Sequence, residues 1–320
     1  MRVHNLHTTR ISTLSLMLLA NVAIVTAQPY GYISNEMGNN VVVVNLATNS
    51  VTTAIPISGA SLTGLAIMPN GAYVYVAEES KNCIAIISTT SNSVVGTVAV
   101  GSGPVQVAFS PNGEMAYVLN SLSNSVSVIN TAAKTVVATV AVGAKPMGIA
   151  ITSDGTRLLV ANMSSSNISV INTASNTVTA TWTALAGTNA IAIYGDNVYV
   201  TNQYANALIV LNLATGSILS TLTGFSAPTA VAVTPNGSQI YVTNGNSFSV
   251  DALTASPLAI VAKIPAGLLP TSVAVSADGA TAYVTNGYGY SLTEVNTATN
   301  AVKDTILKVG IYPVSMALYQ

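Results

Sequence analysis

The tetrapeptide Tyr-Val-Thr-Asn occurs three times in this chain, at residues 199–202, 241–244 and 283–286, always 42 residues apart. Aligning on the tyrosine or its substitute extends the series to seven: Tyr32, Tyr75, Tyr117, Leu159, Tyr199, Tyr241 and Tyr283, with gaps of 43, 42, 42, 40, 42 and 42. Self-similarity at such a period marks a repeat architecture. Each unit is one supersecondary element that buries its apolar face only against its neighbours.

The third copy shows what the unit contains. "AYVLN" begins it at Ala116, "NSVSVIN" follows from Asn124, "TVVATVAV" from Thr135, and "PMGIAIT" from Pro146 closes it. Short runs of alternating Val, Ile and Ala read as strands. The last strand of one copy meets the first of the next at Asn70-Gly71, Asn112-Gly113, Asp154-Gly155, Asn236-Gly237 and Asp278-Gly279. These pairs suit a tight hairpin whose two central residues take positive φ. That turn accounts for the aspartates without making them calcium ligands.

Four strands in each of seven copies predict an all-β fold, a seven-bladed β-propeller. A parallel β-helix has shorter repeats and fits less well. The "PMGIAIT" strand carries Ala at its centre in every copy: Ala66, Ala108, Ala150, Ala192, Ala232, Ala274 and Ala317. It is read as the innermost strand, where blades converge. The chain opens with three strands and ends on "PVSMALY", so that last strand is expected to pair with the first three and close the ring. The tetrapeptide then lies on the second strand of a blade. Its Tyr and Val suit a half-buried pleat, and its Asn hydrogen-bonds backbone where the strand ends.

These residues carry a resemblance. "PTAVAVTPNGSQIYVTN" from Pro228, "PTSVAVSADGATAYVTN" from Pro270 and "NSVSVINTAAKTVVATVAVG" from Asn124 resemble the YVTN family of β-propeller repeats, over essentially all of residues 28–320. The resemblance implies a propeller of the kind found in exported bacterial proteins and archaeal surface-layer proteins. Its fold relatives include lactonases and quinone-cofactor dehydrogenases. Some copies depart from the pattern: Glu78 replaces the Asn of the second, the fourth reads "LVAN", and Glu294 in the seventh replaces an apolar residue.

Residues 1–27 carry Arg2, Arg10 and a fifteen-residue, mostly apolar run before Val25-Thr26-Ala27. This is the pattern of a secretory signal peptide. The run is too short for the roughly 30 Å of a bilayer core. A single propeller domain is expected over 28–320, exported to the periplasm or the cell surface. No later stretch reads as a transmembrane segment. Beyond residue 27, seven basic residues face ten acidic ones with no basic patch, which argues against nucleic acid. Both histidines, His4 and His7, precede the predicted cleavage point. Imidazole-based nucleophilic catalysis therefore has no base there. A lone Cys83 in "NCIAIIS" reads as a small buried side chain. Trp182 stands alone, so cofactor stacking on repeated Trp is not expected and packing between blades is. No motif calls for a cofactor or a metal.

Chemistry concentrates in two loop sets, those between second and third strands and those entering the innermost strand. The first set holds Glu36, Glu78, Glu79, Lys81, Tyr204, Tyr288 and Tyr290; the second holds Lys145 and Tyr312. They are read as a ligand face or as a solvated rim. Three functions stay open. The first is a non-catalytic module that binds an unidentified protein or cell-surface component. The second is a small-ligand or lactonase-like propeller with a carboxylate site, for example Glu36 with Glu78. The third is a self-associating structural surface protein. Sequons at Asn162, Asn167 and Asn236 are further candidates for modification.

Overall fold

The computed structural model describes residues 29–59 and 61–319. The predicted leader, with His4 and His7, lies outside them. The described residues form seven antiparallel four-stranded sheets. In the second blade the order from the axis outward is Leu62–Ile67, Tyr73–Glu78, Cys83–Ser88 and Ser93–Ala99. Innermost strands of consecutive blades pack side by side around the whole ring. In the first blade Pro313–Tyr319 pairs antiparallel with Tyr30–Asn35, setting Ala317 opposite Tyr32. One sheet thus holds the two ends of the described chain, as the strand count requires. No described helix is long and apolar enough to cross a membrane.

Alternating apolar residues on both faces of each sheet fill the spaces between blades. Tyr32, Val43 and Ile55 of the first blade, for example, meet Leu65, Val76 and Ala85 of the second. Tyrosines at the start of the tetrapeptide add a clamp. Tyr32 Oη donates to Asn92 Oδ1 at 2.9 Å and Tyr241 Oη to Asn300 Oδ1 at 2.7 Å, each reaching an outer turn of the next blade. In the fourth blade Leu159 cannot make this bond. Trp182 packs there instead, so close over Gly216 of the fifth blade that a Cβ on Gly216 would lie 2.2 Å from its Cγ. The expected packing role of Trp182 is therefore borne out.

Two expectations need correction. The Asn-Gly pairs do not both take positive φ. Gly71 does (φ 74), but its N–H donates to Met68 O at 2.7 Å, which places Pro69 and Asn70 at the centre of the turn. Proline's fixed φ suits the first central position, and Asn70 Oδ1 accepts from Ala72 N at 3.0 Å. The tightest approach of inner strands also falls two residues before the repeated alanine. A Cβ on Gly64 would lie 2.5 Å from Val105 O, and one on Gly148 2.4 Å from Asn189 O. The alanine itself packs between blades, as Ala66 does beside Tyr75 and Val107.

Candidate functional site

Both chemistry-bearing loop sets emerge on one face of the disc, around the mouth of the central channel. The tetrapeptide's Asn ties them together. Asn35 Nδ2 donates to Val309 O at 3.2 Å and Asn202 Nδ2 to Leu185 O at 3.0 Å. Asn244 Oδ1 accepts from Ser226 N and Asn286 Oδ1 from Gly267 N, both at 3.0 Å. Each bond joins the end of a second strand to the loop entering the innermost strand. All four asparagines are buried. In these four blades the Asn holds the shape of this face as well as its own strand end, whereas Asn120 and Asn162 bond within their own hairpins.

The channel wall is not uniform around the ring. Thr63 Oγ1 donates to Pro104 O at 2.9 Å, Thr229 Oγ1 to Pro270 O at 2.8 Å, and Thr271 Oγ1 to Pro313 O at 2.8 Å. Asn189 Nδ2 donates to Thr229 O at 2.9 Å. These bonds lace the second inner strand to the third, the fifth to the sixth, the sixth to the seventh and the seventh to the first. Val314, Val105 and Met147 occupy the same strand position in the first, third and fourth blades, where their side chains have no donor.

The mouth opens into a cavity of about 920 Å³ that all seven inner strands line. Glu36, Glu79, Lys145 and Tyr312 reach it. Lys145 (φ 52) and Tyr312 (φ 60) sit in left-handed conformations just before the inner strand begins. Such backbone is uncommon for residues with side chains and persists where surrounding bonds impose it. Lys145 N donates to Asn124 Oδ1 at 2.9 Å, and Tyr312 O accepts from Glu36 N at 3.0 Å. Tyr288 packs edge-on against Tyr312 with ring centroids 5.0 Å apart. The Glu36 carboxyl is pushed above its ordinary value by burial first and then by the Glu79 carboxylate, while a hydrogen bond from Ser61 opposes the rise.

The predicted face residues therefore divide. Glu36, Glu79, Lys145 and Tyr312 converge on the mouth, and Tyr288 backs it. Tyr204 and Tyr290 stand exposed on the same face but do not line the cavity. Glu78 does not join Glu36. As the last residue of Tyr73–Glu78 it fills the buried place of the tetrapeptide's Asn and pairs with Lys81 Nζ at 3.2 Å. The single helical turn Glu79–Lys81 that follows turns Glu79 to the mouth instead. Cys83, opposite Glu78 in the sheet, has its thiol pushed up to about 11 by burial first and the Glu78 carboxylate next, so it is a poor nucleophile.

A second feature of this face escaped the sequence. From the second-to-third-strand loops Met37, Leu122, Tyr204, Phe248, Tyr288 and Tyr290 stand exposed, and from the entering loops Leu185, Leu268 and Ile311. Only the tyrosines drew notice, because single apolar residues in loops follow no period. Their common signal is a place directly after the tetrapeptide or before the inner strand. Among the described residues no three His, Cys, Asp or Glu side chains gather as a metal site would need.

No family model matches the chain, and no curated protein matches it. Solved structures match its fold. Hydrazine synthase of Kuenenia stuttgartiensis aligns with a TM-score of 0.76 at 21% identity, over 83% of this chain and 92% of that one. A candidate 6-phosphogluconolactonase from Bacteroides uniformis aligns at 0.77 and 15% identity, over 91% and 100%. A protein of unknown function from Desulfotomaculum acetoxidans aligns at 0.78 and 16%, over 89% and 98%. At these identities the likeness is one of fold.

Proposed function

We propose that this chain is an exported, non-catalytic propeller of YVTN-type repeats, and that its loop face recognises a protein partner. One observation carries the reading: nine large apolar side chains stand exposed on the loops of that face, one of them, Leu122, lining the concave mouth. Apolar patches rimmed by polar residues mark interaction sites on soluble proteins. Tyrosine is also well suited to recognition, because it supplies contact area at low entropic cost. The test is site-specific photo-crosslinking in the producing cell. A crosslinker at position 204 is expected to trap a partner, and one at Tyr194 on the opposite face to trap none. Equal trapping from both faces, or none from either, defeats the reading.

A second reading rests on the cavity itself, which is of a size that holds small molecules. Glu36, with its raised pKa, is the base that a lactone-opening reaction of the kind named for the Bacteroides uniformis protein would draw on. Lys145 is the one cation lining this cavity, so a neutral lactone suits it better than a phosphorylated one. A thermal melt against lactones, divalent metals, redox cofactors and glycans tests it. A ligand at 100 times its Kd adds roughly 2.7 kcal/mol to the folded state. A flat panel removes this reading and leaves the first.

A further inference from the structure

The recognition reading leaves open what the partner presents. The mouth is electrically divided: Glu36 and Glu79 come from the first and second blades, and Lys145 enters the fourth. No ion pair joins Lys145 to either carboxylate, although three other Lys–carboxylate pairs form among the described residues. Tyr312, bonded to Glu36 through their backbones, lines the same mouth, and Tyr288 packs edge-on against its ring. Two adjacent carboxylates with an aromatic face beside them suit a cationic side chain.

We infer that the partner is a protein bearing an exposed loop with a basic side chain, which enters the mouth between Glu36 and Glu79 while apolar residues flanking it lie on the Met37, Leu122 and Leu268 rim. Lys145 then favours an acidic residue a few positions along the same loop. The inference rests on the recognition reading. A membrane fits the face poorly. A flat bilayer leaves the 920 Å³ mouth unfilled, and an anionic one opposes the two carboxylates. The charges act mainly on which partner is accepted, because like charges placed together are penalised strongly.

The test is a cyclic-peptide library selected against the full chain. Enriched peptides are then titrated against two variants. One is a mouth variant, Glu36→Gln with Glu79→Gln; the other is a rim variant, Met37→Ser with Leu122→Ser and Leu268→Ser. Both change exposed or mouth side chains, and circular dichroism melts confirm that each still folds. The expected result is peptides carrying Lys or Arg beside aromatic or aliphatic residues, losing tenfold or more in affinity on either variant. Replacing that Arg by citrulline should cause a similar loss. Peptides that depend on the rim but lack a basic residue and ignore the mouth variant overturn the inference and leave the recognition face standing. Peptides indifferent to both variants, or no enrichment at all, overturn both. Co-sedimentation with anionic vesicles that the rim variant abolishes would replace the protein partner with a membrane.

Discussion

The two faces of the disc are made by one repeat, yet they are built on different principles. On the face opposite the mouth the turns repeat one pattern: each closes on itself and is tied to the outer turn of its own blade, as Thr89 Oγ1 ties to Gly71 O at 2.6 Å and Thr131 Oγ1 to Gly113 O at 2.7 Å. Gly71, Gly113, Gly155, Gly237 and Gly279 each donate back three residues, and Asn45 Oδ1 accepts from Ala47 N and Thr48 N in the outer turn of its own blade. Among these turns the large exposed apolar side chain is Tyr194, which lies over Gly237. On the mouth face the loops are longer-range objects. A buried Asn bonds the entering loop in the first, fifth, sixth and seventh blades, whereas Asn120 and Asn162 bond within their own hairpins and Glu78 replaces the Asn in the second. The uniform turns stabilise, and the loops that vary carry the exposed apolar side chains. That variation is what makes the second face the candidate recognition surface.

The most damaging way to break the comparison removes both faces together. Deleting residues 313–320 takes away the innermost strand of the first blade and exposes Tyr30–Asn35 along an edge. The cooperative melt is expected to vanish. A truncated chain that melts as sharply as the parent would show that the ring does not depend on its closing strand.

Single substitutions separate the faces. Asn286→Ala removes a buried side chain that accepts from Gly267 N and donates to Thr293 Oγ1 at 2.9 Å. Stranding those groups costs about 1–3 kcal/mol. Gly71→Ala forces a side chain into φ 74 against the Tyr319 ring and costs a similar amount, about 1–3 kcal/mol. Both should lower the melting midpoint, but Asn286→Ala alone should also weaken the selected peptides. If Gly71→Ala weakens them equally, the faces are not independent.

A position that belongs to neither face gives the control. Glu294 lies buried in the wall between the seventh and first blades, where other blades place Val43, Val128 or Val170. Lys303 Nζ approaches it at 3.3 Å, but burial outweighs that charge and raises its pKa. A raised carboxylate pKa means the folded state holds its proton longer, so stability falls as pH rises from 4.5 through the folded value. Glu294→Leu should therefore stabilise the protein by about 1 kcal/mol at neutral pH, because Lys303 is half exposed and stays hydrated. The gain should shrink towards pH 4.5. A variant less stable at pH 7 would mean the ion pair outweighs its desolvation.

How much of this the sequence told depends on what enforces each feature. The period, the four strands and the closing strand were legible, because a 42-residue repeat leaves the backbone few alternatives. The role of Trp182 was legible from its isolation. The turn geometry was misjudged because Asn-Gly was read without the Pro before it. Pairing Glu36 with Glu78 rather than Glu79 was a one-residue error: Glu78 ends its strand in the buried place of the Asn, and the helical turn that follows carries Glu79 to the mouth. The left-handed backbone at Lys145 and Tyr312 had no reading at all. It is imposed by bonds from other loops, Asn124 Oδ1 to one and Glu36 N to the other.

The smallest expected effect divides the faces by their acids. Glu36, at the mouth, has its pKa raised above 4.5 by burial and by Glu79. Asp154 and Asp278, in the opposite turns, are held below 3.8, chiefly by side-chain hydrogen bonds from Thr152 and Ser276, Asp154 down to about 2. The signs therefore oppose. Acid protonates Glu36 first, which removes charge from the mouth while the folded state gains slightly. The turn aspartates stabilise the fold above 3.8 and lose that contribution as pH falls through their lowered values. In the Glu294→Leu background the wall no longer titrates, so two windows should appear. Between pH 7 and 4.5 a cationic peptide loses several-fold in affinity while the melting midpoint holds or rises. Below 3.8 the midpoint falls, and Asp154→Asn flattens that fall without touching the peptide's response. Affinity and midpoint declining together through one window would mean that the mouth and the turns respond as a single unit, and the division between the faces would be lost.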